Sequence, residues 1–486
     1  MKRPLFALLL ASVAAGPAGA TTLREALAAA YRTNPTLTGA RAQQRANDEN
    51  VPIARAQGLP NVGATSNLQQ DVITQNDGGN GALVTGPTRQ LTTGVNLSVP
   101  LYAGGAVRNS VRAADLRVTA GQENLRDVEA ALFTQVTAAY MDVIRDQAIV
   151  SLNQANVRVL QVNLEATRDR FEVGDLTRTD VAQSESRLAL ARGQLESAQA
   201  QLINSRESYV RLVGLPADQL EAPPPLPNLP NDPTTAVAVA LENNPALAAS
   251  RTQREAARYD VRVARAGRLP RVSATAGGNY INFLDSINSS VPGVSIRNAN
   301  TAATVGVGVT LPLFQGGLPA ARTRQAQARE SQAIEQVTEV ERSIVAQTRS
   351  AFASYQASNA LIASTQAAVS AAELSLEGVR AENSVGSRTI LDILNAEQEL
   401  LNARVNLVSA QRNSYVAGFS LLAATGQAEA RDLGLEAGTL YDPTTNYRRV
   451  RNRIWDFGRD PTPEPVATRT VDTPPQTSAV TGPVPR

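Results

Sequence analysis

Apolar residues recur with a helical period along two very long stretches of the chain. From Ile334 onward, one heptad phase carries Ile334, Tyr355, Ile362, Val369 and Leu376, and a second carries Val337, Ile344, Ala351, Ala372 and Val379. In the first half, the phase of Val118, Leu125, Leu132 and Ala139 resumes four residues later at Val143, Val150, Val157, Leu164 and Phe171. A sustained repeat of about 3.5 residues predicts coiled-coil helices with a left-handed supercoil, and the shift is a stutter that locally unwinds it.

The predicted helices are longer than a globular domain needs. No proline occurs from Gly105 to about Phe171 or from Ala320 to about Asn383. Roughly 65 residues at a rise of about 1.5 Å give a rod of about 100 Å. A shorter helix follows each long one, and in the second half it carries two adjacent apolar seams, Ile393, Leu400 and Leu407 beside Leu394, Leu401, Val408, Tyr415 and Leu422. Two seams need neighbours on both sides, which favours a closed wall of helices; an ordinary bundle core would explain the seams only locally.

Four segments alternate with the period of a strand. Between Arg89 and Pro100, Leu91, Thr93, Val95, Leu97 and Val99 share one face, and downstream the same holds for Ala303, Val305, Val307, Val309 and Leu311. The segments from about Asn61 to Thr74 and from Arg271 to Phe283 are weaker but similar. Alternation of apolar with small or polar residues over about ten positions is typical of transmembrane β-barrels. A strand of a soluble β-sandwich fits the pattern equally well. Four strands cannot enclose a useful pore, whereas three chains would supply twelve.

The chain is an internal duplication. The segment from Ala26 to Leu37 returns as Ala236 to Leu247, and Val173-Gly174 returns as Val385-Gly386, so the two copies keep an almost constant spacing along the chain. A register kept over most of the chain predicts two structurally equivalent halves. We therefore expect a signal peptide over 1–20, a first repeat over 21–216, a Pro-rich linker over 217–232, a second repeat over 233–426, and a partly disordered periplasmic tail over 427–486.

Composition removes most enzyme classes. The chain has no Cys and no His, and its only Lys is Lys2. An imidazole base, a thiol nucleophile, a Schiff-base lysine in the mature chain and a Cys/His metal site are therefore excluded. A mechanism based on two carboxylates stays open. We predict no enzymatic activity, no catalytic residues, no cofactor and no metal site.

The N-terminus is predicted to direct export. Lys2 and Arg3 precede an apolar run from Leu5 to Ala15 and a small-residue end at Ala20, which together are typical of a secretory signal cleaved before Thr21. An uncleaved anchor is the alternative, but the run is short for a bilayer. Loss of the two charges takes the formal net charge from +2 to 0, so no basic surface is expected to recruit nucleic acid. No other apolar stretch approaches the length that a helix needs to span a bilayer, so a membrane could be crossed only by strands.

These motifs together resemble the TolC-like outer-membrane efflux and secretion channels, from about Thr22 to Gly426. The resemblance is carried by the duplicated Asn-Pro-x-Leu, the Leu-Pro before each first strand, the Pro-Leu-[Tyr/Phe]-x-Gly-Gly exit into each long helix, and the segment from Val385 to Ala396. It implies an α+β membrane protein: a trimeric, 12-stranded outer-membrane β-barrel with four strands per chain, continuous with a long periplasmic α-helical coiled-coil barrel. The first half is closer to the type I secretion subgroup.

The resemblance also implies roles for residues at the periplasmic tip. Asp392 matches the first aspartate of a pore constriction, and Asn395 occupies the second ring position, where many relatives have another Asp. A trimer would then present three ring carboxylates rather than six and a weaker cation preference. Arg388 matches an arginine that links the helix pairs at the gate, and Asp180 matches its acidic partner. Without the resemblance, Arg388 and Asp180 would be read as an ordinary solvated pair.

Gly174 and Gly386 lie at the turns between long and short helices, where a positive φ is commonly required. The resemblance implies that these turns dock a periplasmic adaptor, and that the homotrimer, anchored in outer-membrane lipid, passes substrates from an inner-membrane ABC or proton-driven transporter to the outside. The predicted function is thus the exit channel of type I secretion or multidrug efflux, in the cell outer membrane. The alternative is a secreted trimeric coiled-coil stalk or adhesin without a pore.

Overall fold

The computed structural model describes residues 21–72, 84–85, 87–227, 229–289, 291, 293–435 and 440–480. The predicted signal peptide over 1–20, with its cleavage site at Ala20, lies outside the described residues. The same is true of residues 73–83, which include the end of the predicted strand from Asn61 to Thr74.

The two halves contain the same succession of elements, except that α2 and α3 of the first half correspond to the single helix α7 of the second. The first half has helices α1 (Leu23–Thr33), α2 (Pro35–Asp48) and α3 (Asn50–Ala56), strands β1 (Asn61–Gln70), β2 (Val84–Thr85) and β3 (Arg89–Ala103), and helices α4 (Ala106–Glu172) and α5 (Arg178–Val213). The second half has α6 (Pro233–Asn243), α7 (Pro245–Ala266), β4 (Arg271–Asn282), β5 (Asn288–Ser289), β6 (Ala299–Thr310), α8 (Leu318–Ser384) and α9 (Ile390–Ala424). A short helix, α10 (Thr444–Val450), follows.

The duplicated Asn-Pro motif joins two helix ends in each half. Asn34 caps the start of α2 through its side-chain oxygen, and its amide group donates to the carbonyl of Leu212, near the end of α5, at 2.8 Å. Asn244 caps α7 in the same way and donates to the carbonyl of Ala424, the last residue of α9, at 3.2 Å. Proline at the first helical position lacks only an amide hydrogen that would have no helical partner there. One asparagine therefore satisfies orphan backbone groups at both helix ends.

The long helices have the predicted length. Helices α4 and α8 contain 67 residues each, and a rise of about 1.5 Å per residue makes both rods about 100 Å long. The heptad positions Val337, Ile344, Val369 and Leu376 of α8 are buried within the chain, whereas Ile334 is 46% exposed. Helix α8 thus carries apolar surface that one chain does not cover, as a two-seamed helix in a multi-chain wall requires.

Four strands form one antiparallel sheet in the order β1-β3-β4-β6, and the short β2 and β5 pair separately. The register places Leu97 opposite both Val62 of β1 and Ala276 of β4, so the strands from the two halves meet at the centre of the sheet. On the edge strand β6, Val305 is 89% exposed and Val307 is 67% exposed. The chain alone therefore ends in an apolar strand whose outer edge has no partner among the described residues.

The largest core lies where both helix pairs meet the short helices. It includes the fully buried side chains of Leu37, Phe133, Tyr209, Phe419 and Leu422, contributed by α2, α4, α5 and α9. The segment predicted as a Pro-rich linker packs here through Ala217 and Leu220. This junction fixes the roots of the two helix pairs, from which α4/α5 and α8/α9 extend to a common tip.

The two shorter helices, α5 and α9, begin with the same capping box at that tip. The amide of Thr177 donates to the Asp180 carboxylate at 2.9 Å, and the amide of Asp180 donates back to the threonine hydroxyl at 3.4 Å. Thr389 and Asp392 repeat both contacts at the start of α9, at the same two distances. Hydrogen bonds from the threonines hold the pKa of both carboxyl groups below their ordinary value. The duplication seen in the sequence therefore extends to the hydrogen bonds that cap these helices.

The described part of the C-terminal tail follows the body of the protein. Its backbone contacts Arg206 on α5, a residue that is only 4% exposed. The Arg206 guanidinium donates hydrogen bonds to the carbonyl of Thr477 and, at 2.9 Å, to the carbonyl of Ala479. The amide of Gln476 donates to the Glu207 carboxylate at 3.0 Å. Burial lowers the pKa of Arg206. The Pro/Thr-rich composition, which favours disorder, does not anticipate these contacts.

We expect Thr389→Ala to loosen the first turn of α9. Loss of an N-cap costs about 1 kcal/mol, so amide hydrogen exchange over 390–394 should become roughly fivefold faster at pH 7. Because the folded pKa of Asp392 is lowered from 3.8, its stabilising contribution is present above the unfolded value and is lost as pH falls through the folded value. Thr177→Ala is the matched control, and it should accelerate exchange only at the start of α5. Unchanged exchange in both variants would contradict the capping account.

We expect Arg206→Ala to release the tail. Hydrogen bonds to a charged group contribute about 1.5–3 kcal/mol each, so exchange over 474–480 should rise at least about tenfold. Arg211→Ala, an exposed arginine on the same helix, should leave this segment protected. Hydrogen exchange followed by mass spectrometry measures both variants. Equal exchange over 474–480 in wild type and Arg206→Ala would show that Arg206 does not hold the tail.

Candidate functional site at the helical tip

The tip consists of the two turns that join each long helix to its shorter partner. Gly174 and Gly386 have φ values of +86° and +79°, a backbone conformation that favours glycine. The amide of Gly174 donates to the carbonyl of Phe171 and the amide of Gly386 to that of Asn383, both at 3.0 Å. These bonds close the C-termini of α4 and α8 as αL caps do. The positive φ predicted at both glycines is confirmed.

Each turn presents an apolar side chain to solvent. Val173 is 80% exposed and Val385 is 77% exposed. A Cβ atom built on either Gly174 or Gly386 would meet nothing within 4 Å, so the space beside both turns is open. Both turns therefore leave an apolar side chain and open space that the described chain does not fill.

A repeated ion pair holds the two helices of each pair together above the tip. Arg168 of α4 donates to Glu185 of α5 at 2.6 Å. Arg380 of α8 donates to Glu397 of α9, a carboxylate that is buried. Arg380 is the repeat equivalent of Arg168, and Glu397 is that of Glu185, so the duplication extends to side-chain contacts.

Asp392 has a local partner at the tip. Its Oδ2 atom accepts hydrogen bonds from the amide and the hydroxyl of Thr389, at 2.9 and 2.8 Å. The residue is half-buried, and its carboxylate remains ionised because these bonds lower its pKa. Asp392 can thus present negative charge at an entrance while it caps α9. Asp180 has the same arrangement on α5.

The predicted link between Arg388 and Asp180 is not formed in the described chain. The Nε atom of Arg388 donates to Glu382 at 2.7 Å, and the amide group of Asn383 donates to the Arg388 carbonyl at 2.7 Å. Glu382 also raises the pKa of Arg388. Both partners of the expected link are engaged locally: Asp180 caps its own helix, and Arg388 braces the turn on its own helix pair.

Asn395 makes a contact that sequence reasoning missed. Its Oδ1 atom accepts a hydrogen bond from the guanidinium of Arg187, on α5 of the other half, at 2.7 Å. Among the described residues, Arg187 has no carboxylate within ion-pair distance. The available signal was a break in the duplication, because the repeat equivalent of Arg187 is Glu399, a residue of opposite charge. The Asn395 side-chain amide is therefore held by a cation from the other half.

An apolar contact accompanies this hydrogen bond. Leu394, 2% exposed, inserts into the first helix pair against Val157, Leu160, Leu164, Leu188 and Ala191. Further from the tip, α5 and α9 diverge around a cleft of about 660 Å³ lined by Gly193, Gln194 and Leu401, among others. Near the tip, α9 of the second half thus packs against the helix pair of the first half.

None of the described helices is both long and apolar enough to cross a bilayer. Within the described ranges, no cluster of acidic side chains has the grouping needed to hold a metal ion.

Three comparisons agree with this architecture. The model of the family described as "Outer membrane efflux protein" matches residues 10–215 and 236–427, which cover both repeats. The chain is 34% identical over 447 residues to the outer membrane efflux protein BepC of Brucella suis, over 92% of this chain and 94% of that protein. It is 28% identical over 469 residues to the outer membrane protein TolC of Escherichia coli, over 93% of each chain.

The solved structure of the outer membrane protein VceC of Vibrio cholerae has the same fold. It superposes with a TM-score of 0.70 at 24% identity, over 83% of this chain and 96% of that one. The predicted fold class is confirmed: four strands per chain contribute to a trimeric outer-membrane β-barrel that continues into a helical barrel. With a family model that covers both halves and a relative matched over nearly its full length, the chain belongs to the outer membrane efflux protein family.

Proposed function

We propose that three copies of this chain form the exit channel of a tripartite export system. The channel carries either proteins or small toxic compounds from an inner-membrane ABC or proton-driven transporter, through a periplasmic adaptor, to the outside. BepC, the relative at 34% identity, is named as an efflux protein, which supports the export of small compounds. Catalysis has no place in this function, and the members of the family are channels.

The open sheet is the observation that carries the proposal. β1 and β6 each pair on one side only within the described chain. An unpaired strand edge in hydrocarbon is costly, since lipid offers no hydrogen-bond partner. Pairing β6 of one copy with β1 of the next removes every edge when three copies close a ring. The α4/α5 and α8/α9 pairs then form a helical wall below the barrel.

A secreted stalk or adhesin accounts for less of the structure. A trimeric coiled coil explains the heptads of α4 and α8, but it gives no reason for a strand pair inserted at the same place in both halves.

The tip turns are proposed to dock the adaptor. Val173 and Val385 supply small apolar contacts, and Gly174 and Gly386 leave room for a partner to approach the backbone. Three chains present six such turns around the axis. A partner with matching helical hairpins could therefore engage both halves in the same way.

The entrance is proposed to narrow at Asp392, where three ionised carboxylates face the axis. Closure is supported by Leu394, which buries its side chain between the helices of the first pair. Opening the tip would draw α9 away and expose Leu394 to water. The predicted gate link of Arg388 is replaced in this account by the Leu394 contact, because Arg388 pairs with Glu382.

We expect trivalent cations to block this channel at the tip. Three Asp392 carboxylates concentrate negative potential in a narrow constriction, so a trivalent cation added on the periplasmic side should bridge them and stop the current. In planar bilayers, Asp392→Ala should weaken block at least about tenfold. Asp180→Ala removes the equivalent cap from α5 and is the matched control, which should retain most of the block.

The outcomes separate the parts of the proposal. Purified trimers that carry no ionic current would overturn the channel function. Trimers that conduct, but whose block survives Asp392→Ala, would place the constriction elsewhere and leave the channel function standing.

A further inference from the structure

The contact between the two helix pairs near the tip contains a positive charge. Arg187 extends from α5 of the first half to Asn395 of the second half, at 2.7 Å, and no described carboxylate neutralises it. The arginines that join the two helices of each pair near the tip are neutralised: Arg168 by Glu185 and Arg380 by Glu397. A guanidinium that donates its hydrogen bond to a neutral amide keeps its positive charge uncompensated.

The duplication places an opposite charge at the same level. Caps and ion pairs at the tip recur at the spacing that separates Gly174 from Gly386, and the same spacing relates Arg187 to Glu399. Glu399 lies four residues after Asn395 on α9, so the two share a helix face. Among the described residues, Glu399 has no arginine within ion-pair distance. Equivalent positions of the two halves therefore carry charges of opposite sign.

We propose that Arg187 is a selectivity-determining residue of the entrance, which with Glu399 forms a ring of alternating charge above the Asp392 carboxylates. The inference rests on the proposed channel function, because α5 and α9 can face an axis only in the assembled trimer. In three copies, three Arg187 and three Glu399 sum to zero. The ring thus adds no net negative charge to that of Asp392, and anionic substrates meet less repulsion than at an entrance lined by carboxylates alone.

Asn395 has a defined part in this arrangement. As an amide it accepts the Arg187 hydrogen bond without cancelling the charge, whereas an aspartate there would form an ion pair with Arg187. The second ring position therefore does not act as a missing carboxylate. Placing an aspartate at this position would cancel the Arg187 charge and change the charge sensed by a permeating ion as much as Arg187→Gln does.

The test is a set of charge variants in planar bilayers under a salt gradient. Arg187→Gln should shift the reversal potential toward cation selectivity and tighten trivalent-cation block about tenfold. Glu399→Gln should shift the reversal potential toward anion selectivity. The double variant Arg187→Gln/Glu399→Gln should return close to wild type. Arg192→Gln, an exposed arginine five residues further along α5, is the matched control and should leave both readouts unchanged.

A second comparison tests the role of Asn395. Asn395→Asp alone adds one negative charge per chain at the place where Arg187→Gln removes one positive charge, so it should tighten block by a similar factor of about ten. Asn395→Asp in the Arg187→Gln background should tighten block beyond Arg187→Gln alone. The mass of each variant in detergent confirms that three chains are still assembled, so altered selectivity is not a consequence of misassembly.

Each result decides the question. If Asp392→Ala removes block but Arg187→Gln shifts neither reversal potential nor block, the inference is wrong and the proposed channel stands. If Asn395→Asp leaves both reversal potential and block unchanged, charge at this position does not act on the permeating ion and the inference is wrong. If no variant conducts ions, the proposed function itself fails.

Discussion

Every backbone amide and carbonyl that lies in hydrocarbon needs a partner within the protein, and this requirement organises the whole molecule. The four-stranded sheet satisfies its inner strands by antiparallel pairing and leaves one edge each on β1 and β6. The edges find partners only on other copies, and three copies make a ring wide enough for a pore. The helices have the same threefold arrangement as the strands, because each strand pair leads directly into a long helix. An exposed apolar position such as Ile334 on α8 is then a surface that a neighbour in the ring can cover.

The duplication explains why the helical part is so regular. Asn34 and Asn244 each satisfy the end of one helix and the start of another, and Thr177 and Thr389 each begin an inner helix with a capping box. These contacts solve problems of backbone hydrogen bonding that both halves share, so both halves retain them. Side chains outside these devices are freer to differ. Differences between the halves are therefore better guides to function than similarities.

Much of the fold follows from sequence pattern. The heptads of α8 predict the burial of Val337, Ile344, Val369 and Leu376, and alternation predicts the strands, because both signals arise from the repeating geometry of one element. The length of α4 and α8 follows from the lack of proline. The strand bounds differ from the prediction by only a few residues, since turn residues and not hydrophobicity set where a strand ends.

The partners of polar side chains at the tip could not be predicted in the same way. The resemblance predicts that Arg388 reaches Asp180, whereas in the described chain Arg388 pairs with Glu382 across its own turn. A long exposed side chain takes the partner that tertiary geometry brings closest, and periodicity contains no information about that distance. The same limit applies to the tail: composition favours disorder, whereas the carbonyls of Thr477 and Ala479 satisfy a buried arginine that composition cannot locate.

Arg187 shows how a pore can be tuned without disturbing its scaffold. The position faces neither the main core nor the helix caps, so a change of charge there does not alter the shared backbone devices. Its repeat equivalent, Glu399, has the opposite sign, as Glu382 has at the repeat equivalent of Arg170. The shared backbone contacts do not depend on these charges, so the charge of Arg187 is free to act on something other than the fold. Near a narrow axis, such a charge acts on the permeating ion or substrate, because the fields of symmetry-related charges add along the axis of a ring. A single exchange of arginine for glutamate, multiplied by three chains, is then enough to change an acidic entrance into a balanced one.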